Sequence, residues 1–135
     1  MRGSAGESLV LYVDGSAKPN PGLASIGALL ENGHGVRVTG LSRSIGRATN
    51  NEAEYRALLA GLEMVSALPG KPLHLEVRSD SELLVRQIEG AYRVRKRELM
   101  PLHSRALELL RAFPSAAVIH IPRELNKAHS LADGC

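Results

Sequence analysis

The chain has 135 residues, 44% of them hydrophobic and 23% charged, which is one domain's worth with a core of its own and rules out a disordered composition. Its one cysteine, Cys135, excludes a disulfide framework and a cysteine-based zinc site, and one Phe with three Tyr leaves little for reading unpaired bases by stacking. A net charge of +3 and a pI near 9.4 lean toward a polyanionic partner, while the lack of a long apolar run or an apolar leader in MRGSAGES leads us to expect no membrane contact, a cytoplasmic setting and a monomer.

Residues 1–7 read as a flexible tail and 8–135 as the domain. Ser8 to Val13 (SLVLYV) is a short apolar run, predicted as a buried strand that delivers Asp14 to its C-terminal edge, where GSAKPNPG supplies a dense cluster of turn residues. A second strand is expected over Ala24 to Glu31, NGHG as a hairpin turn, and Val36 to Ser44 as a third, antiparallel strand. The stretch Thr49 to Glu63 (TNNEAEYRALLAGLE) is a long helical pattern in which Ala53, Ala57 and Ala60 recur beside Leu58, Leu62 and Val65, small enough to pack closely on a sheet. Glu54, expected in the first turn, interrupts that apolar side, where an ionised carboxylate needs a cation, a metal or several donors.

Pro69, Gly70 and Pro72 stop the helix, and Leu73 to Val77 (LHLEV) forms a fourth strand that runs into Arg78, Ser79 and Asp80. Ser81 to Glu89 is a short helix closed by Gly90, and Arg93, Arg95, Lys96 and Arg97 follow as a basic cluster. Glu98 to Phe113 is amphipathic and helical, Ala116 to Ile121 is a fifth strand, and KAHSLADGC is a stub of helix after PRELN. The order calls for an α/β fold with a mixed five-stranded sheet, three antiparallel strands and then two parallel ones, flanked by helices.

If the first and fourth strands are parallel neighbours, Asp14, Glu54 and Asp80 converge at strand ends, where sites form in open α/β sheets. Three clustered carboxylates repel one another unless cations offset their charge, and hard oxygen donors favour Mg²⁺ or Mn²⁺. Such a group can hold two ions ~3.5–4 Å apart, an arrangement that activates water and stabilises the leaving oxygen of a phosphodiester. Spacing alone leaves open that these are three ordinary solvated carboxylates.

The words around them are more specific. VDGSAKPNPG, TNNEAEYRALLAGLE and RSDSELLVRQIEG, with VIHIPRELN near the end, resemble in order and separation the signature blocks of type 1 ribonucleases H, and the resemblance covers nearly the whole chain. It implies the ribonuclease H-like fold and two-metal hydrolysis of the RNA strand of RNA–DNA hybrids, leaving 5′-phosphate products, with Asp14, Glu54 and Asp80 as metal-binding residues. It implies hybrid contacts by Gly15, Ser16, Asn20, Asn50 and Asn51, beside which turn formation at Asn20 and helix capping at Asn50 are alternatives. Many relatives carry glutamine where this chain has Glu82, which cannot donate to a base. The basic handle of larger bacterial relatives is missing, as in the short archaeal-like branch.

The pattern breaks at the C-terminus. Relatives place a fourth acid early in the last helix, four residues after an asparagine; here that count from Asn126 gives Ser130, aligning AHSLA gives His129, and Asp133 comes about one turn later. Two rivals therefore stand beside the hybrid nuclease: a catalytically silent module binding hybrid or double-stranded RNA, and a proofreading-type exonuclease, which would want an acid where Ser16 stands.

Overall fold

The run from Ser8 to Val13 is apolar on both sides, and accordingly it lies at the centre of the sheet. Leu9, Leu11 and Val13 enter the main core on one face, while Val10 and Tyr12 pack with Leu29 and Ala128 on the other. The structure, a computed structural model, describes residues 7–132, so most of the expected tail, together with Asp133 and Cys135, falls outside the described residues. The strands are β1 (Ser8–Lys18), β2 (Gly22–Asn32), β3 (Arg37–Ala48), β4 (His74–Ser79) and β5 (Ala116–His120), in the sheet order β3-β2-β1-β4-β5. β1–β2 and β2–β3 pair antiparallel, β1–β4 and β4–β5 parallel, which is the expected mixed sheet.

One expectation is corrected. β1 does not end at Asp14 but pairs with β2 as far as Lys18↔Leu23, because a partner strand is present along that whole length and only residues 19–21 of the turn-rich cluster make the turn. The parallel ladder with β4, however, stops at Tyr12↔Arg78. Beyond that rung β1 and β4 part, and Asp14 lies in the opening between them.

The helix α1 (Asn50–Ser66) starts at a capping box: the Thr49 hydroxyl accepts from Glu52 N–H at 3.1 Å and the Glu52 carboxylate accepts from Thr49 N–H at 2.8 Å. It packs its small residues on the sheet so closely that a Cβ on Gly61 would lie 3.0 Å from Val13. Leu58, Leu62 and Val65 are buried there, each stabilising the fold by roughly 1.5–3 kcal/mol relative to exposure. Helices α2 (Glu82–Glu89) and α3 (Met100–Arg111) complete that layer. Two 3₁₀ turns, 97–99 and 123–125, precede α3 and the short α4 (His129–Ala132). The last helix lies on the opposite face over Gly27, where a Cβ would meet Ala132 N at 2.6 Å. Among the described residues no helix is long and apolar enough to cross a membrane.

Candidate active site

Alternation along β1 sends Val13 toward α1 and the next side chain, Asp14, toward α4. Glu54 comes from the other face, and the gap between β1 and β4 lets the two meet. Asp80, one residue past β4, closes the group: Asp14, Glu54 and Asp80 each offer an oxygen, all within 4.8 Å of one another. Glu54 is the fifth residue of α1, not in its first turn as expected, because the cap is Thr49 and the helix starts at Asn50.

The contact that sets this distance is between backbones. At Gly15 an added Cβ would sit 2.2 Å from the carbonyl oxygen of Ala53, so only glycine allows β1 and α1 to touch there. The same approach lets Gly15 N–H donate to Glu54 Oε1 at 3.1 Å. Burial, and then the neighbouring Asp80 charge, pushes Asp14 from 3.8 up to about 6, against the pull of His129 and Arg123. Glu54 is held well above the usual carboxylate range, first by burial and then by Asp14 and Asp80, with the Gly15 N–H and Arg123 opposing. Three hard oxygen donors, of which Asp14 and Glu54 are disfavoured as anions by burial and by neighbouring carboxylates, suit a divalent cation such as Mg²⁺ or Mn²⁺.

Of the residues expected at the substrate, Asn50 and Asn20 are tied to each other. Asn50 N–H donates to Asn20 Oδ1 at 2.9 Å, and Asn50 Oδ1 accepts from Ala17 N–H at 2.7 Å. Asn50 therefore braces the β1–β2 turn against α1, while the capping role falls to Thr49. Asn51 lines a cleft of about 440 Å³ whose other walls include Gln87, Tyr92, Arg93, Arg95 and Lys96. The basic cluster thus joins α1 one turn before Glu54. Gln87 is buried there, accepting from the Tyr55 hydroxyl at 2.7 Å.

At the last helix the alternatives separate. His129 Nδ1 is 3.1 Å from Asp14 Oδ2, so of the two candidates among the described residues it is histidine that reaches the cluster, through Asp14. Ser130 is exposed, and Asp133 lies outside the described residues. Asn126, which the sequence offered only as the residue from which the fourth position is counted, is buried, and its amide nitrogen donates to Val13 O at 3.0 Å and to Asp80 Oδ2 at 3.3 Å. Reading the sequence missed Arg123 as a cation facing the carboxylates; a charged residue in the segment between the last strand and helix was the available signal for it.

Comparison with known proteins agrees with this architecture. A family model described as "Reverse transcriptase-like" matches residues 12–135. The chain is similar to "Ribonuclease HI" of Halobacterium salinarum, 40% identical over 90% of this chain, and spans 61% of that relative's length. The crystal structure of RNase H1 from the same archaeon superposes with a TM-score of 0.87 at 38% identity, covering 93% of this chain and 95% of that one. LC11-RNase H1 in complex with RNA/DNA hybrid superposes with a TM-score of 0.86 at 34% identity, covering 94% and 95%.

Proposed function

The chain belongs to the type 1 ribonuclease H family, and from that premise we propose that it is a metal-dependent endonuclease cutting the RNA strand of RNA–DNA hybrids to leave 5′-phosphate ends. The observation that carries this reading is the convergence of Asp14, Glu54 and Asp80 within 4.8 Å at the parting of two parallel strands. Asp14, Glu54 and Asp80 would together hold the divalent ions. When bound, such ions supply a nucleophile from water at neutral pH and neutralise charge on the leaving oxygen.

The protein's own groups do the positioning. Gly15 N–H fixes one oxygen of Glu54 and leaves the other to bind. His129 orients Asp14. The Asn20–Asn50–Ala17 brace holds the β1–β2 turn beside the site, presenting Gly15 and Ser16 to the RNA strand, and Asn51 faces the cleft. Arg93, Arg95 and Lys96 line that cleft and would hold backbone phosphates of the hybrid away from the carboxylates, since a repulsive acidic cluster needs cations elsewhere to attract a polyanion.

A panel of substrates tests the reading. The wild-type protein with Mg²⁺ or Mn²⁺ should fragment the RNA of a hybrid and spare single-stranded RNA and duplex DNA, because amide and backbone contacts recognise the hybrid's shape and 2′-hydroxyls without stacking. Equal cutting of single-stranded RNA would overturn it, and binding without any cutting would favour the silent-module alternative. Double-stranded RNA belongs in the panel as the second candidate substrate.

An imidazole at the fourth position has its own consequence. Nitrogen suits Mn²⁺ better than Mg²⁺, so Mn²⁺ should give the faster enzyme. In His129→Ala, the divalent concentration for half-maximal rate should rise about tenfold. An unchanged requirement would show that His129 neither binds an ion nor orients Asp14.

A further inference from the structure

Asn126 is 5% exposed, and every polar atom of its carboxamide is engaged. The nitrogen donates to Val13 O and to Asp80 Oδ2, and the oxygen accepts from Ala128 N–H at 3.1 Å. Val13 is the residue after the last rung between β1 and β4, so the amide takes the place of the missing strand where the two part. One small side chain thereby ties the backbone next to Asp14 to the carboxylate of Asp80 and to the start of the last helix.

We propose that Asn126 is a positioning residue that fixes the Asp14–Asp80 geometry, and with it the site's affinity for a divalent ion; the role of that ion in catalysis rests on the function proposed above. Asparagine is the side chain the place requires. Rotated by half a turn, its oxygen would face a carbonyl and a carboxylate while its nitrogen faced an N–H, so the neighbours permit one orientation only. Aspartate has the same shape but would set a carboxylate against Val13 O and Asp80. With one oxygen of Asp80 occupied by the amide, the other is left to turn toward Asp14 and Glu54. Like the outer partners of metal ligands generally, such a residue acts through the ligand it holds.

The test is calorimetric titration of Mn²⁺ into wild type, N126D and N126A without nucleic acid, beside hybrid cleavage measured against Mg²⁺ concentration. Ion affinity should fall about 10- to 100-fold in both variants, with the divalent requirement for cleavage rising in parallel and KM for hybrid at saturating metal staying near wild type. Wild-type ion affinity in either folded variant, or a defect confined to KM, would overturn the proposal. If neither variant folds, the wild-type protein decides: the Asn126 side-chain amide signals in ¹⁵N NMR should shift when Mg²⁺ is added, and unmoved signals overturn it. Because ion binding is read without hybrid, a wild-type protein that binds Mn²⁺ but cuts nothing contradicts the proposed function and leaves this inference standing on its own readout.

Discussion

Asp14→Asn should lose at least about 10³-fold in hybrid cleavage, a barrier increase of roughly 4 kcal/mol, and yet be the more stable protein when metal is removed. Asp14 has a folded-state value of about 6 against 3.8, so between those values the folded protein binds more protons than the unfolded chain, and stability falls as pH rises. The loss is absent below about pH 4 and complete above about pH 6, and two units amount to roughly 3 kcal/mol. Asparagine keeps the shape and removes the charge, which also relieves Glu54. In EDTA at pH 7 the melting temperature of Asp14→Asn should exceed that of wild type by roughly 5 °C or more, with no gain at pH 3.5. Wild-type-like cleavage, or a lower melting temperature at pH 7, would contradict this account of the site.

Gly15→Ala should be nearly as damaging without altering any carboxylate. The new methyl would lie 2.2 Å from Ala53 O, 2.4 Å from Ala53 C and 2.9 Å from Glu54 N, all backbone atoms that cannot swing aside. The strand must move off the helix, breaking the Gly15–Glu54 hydrogen bond and separating Glu54 from Asp14. Overpacking of this kind costs about 3 kcal/mol. A shift near 1 Å between groups that must act together costs about 100-fold in rate. Denaturant melts and cleavage assays on the purified variant measure both, and near-wild-type values in each would show that the close approach is not what assembles the site.

Much of this was legible in the sequence. The three acids stand out beside turn and cap residues in the sequence, although Asp14 proves to lie inside β1, and strand order followed from short apolar runs between punctuating Gly and Pro. The Thr49–Glu52 capping box was also there to be read, although Asn50 is the residue that draws attention. The extension of β1 was not legible, because Gly15, Ser16 and Ala17 carry turn-like composition and owe their strand conformation to pairing with β2. Asn126 was visible as a motif residue, but what it holds was not. Its partners Val13 and Asp80 lie 113 and 46 positions away, and a buried amide leaves no periodic trace. His129 was identifiable only as one of several ways to count along a broken motif; its distance to Asp14 separates it from Ser130.

The most direct measurement follows both strands of one labelled hybrid, incubated with wild-type protein and with Asp80→Asn, in Mg²⁺ and again in EDTA. Wild type in Mg²⁺ should convert the RNA to short oligonucleotides bearing 5′-phosphates and leave the DNA intact, and the other three combinations should leave both strands whole. Cleavage of the DNA strand, cleavage that survives EDTA, or RNA cleavage by Asp80→Asn at the wild-type rate would contradict a hybrid nuclease built on these three carboxylates.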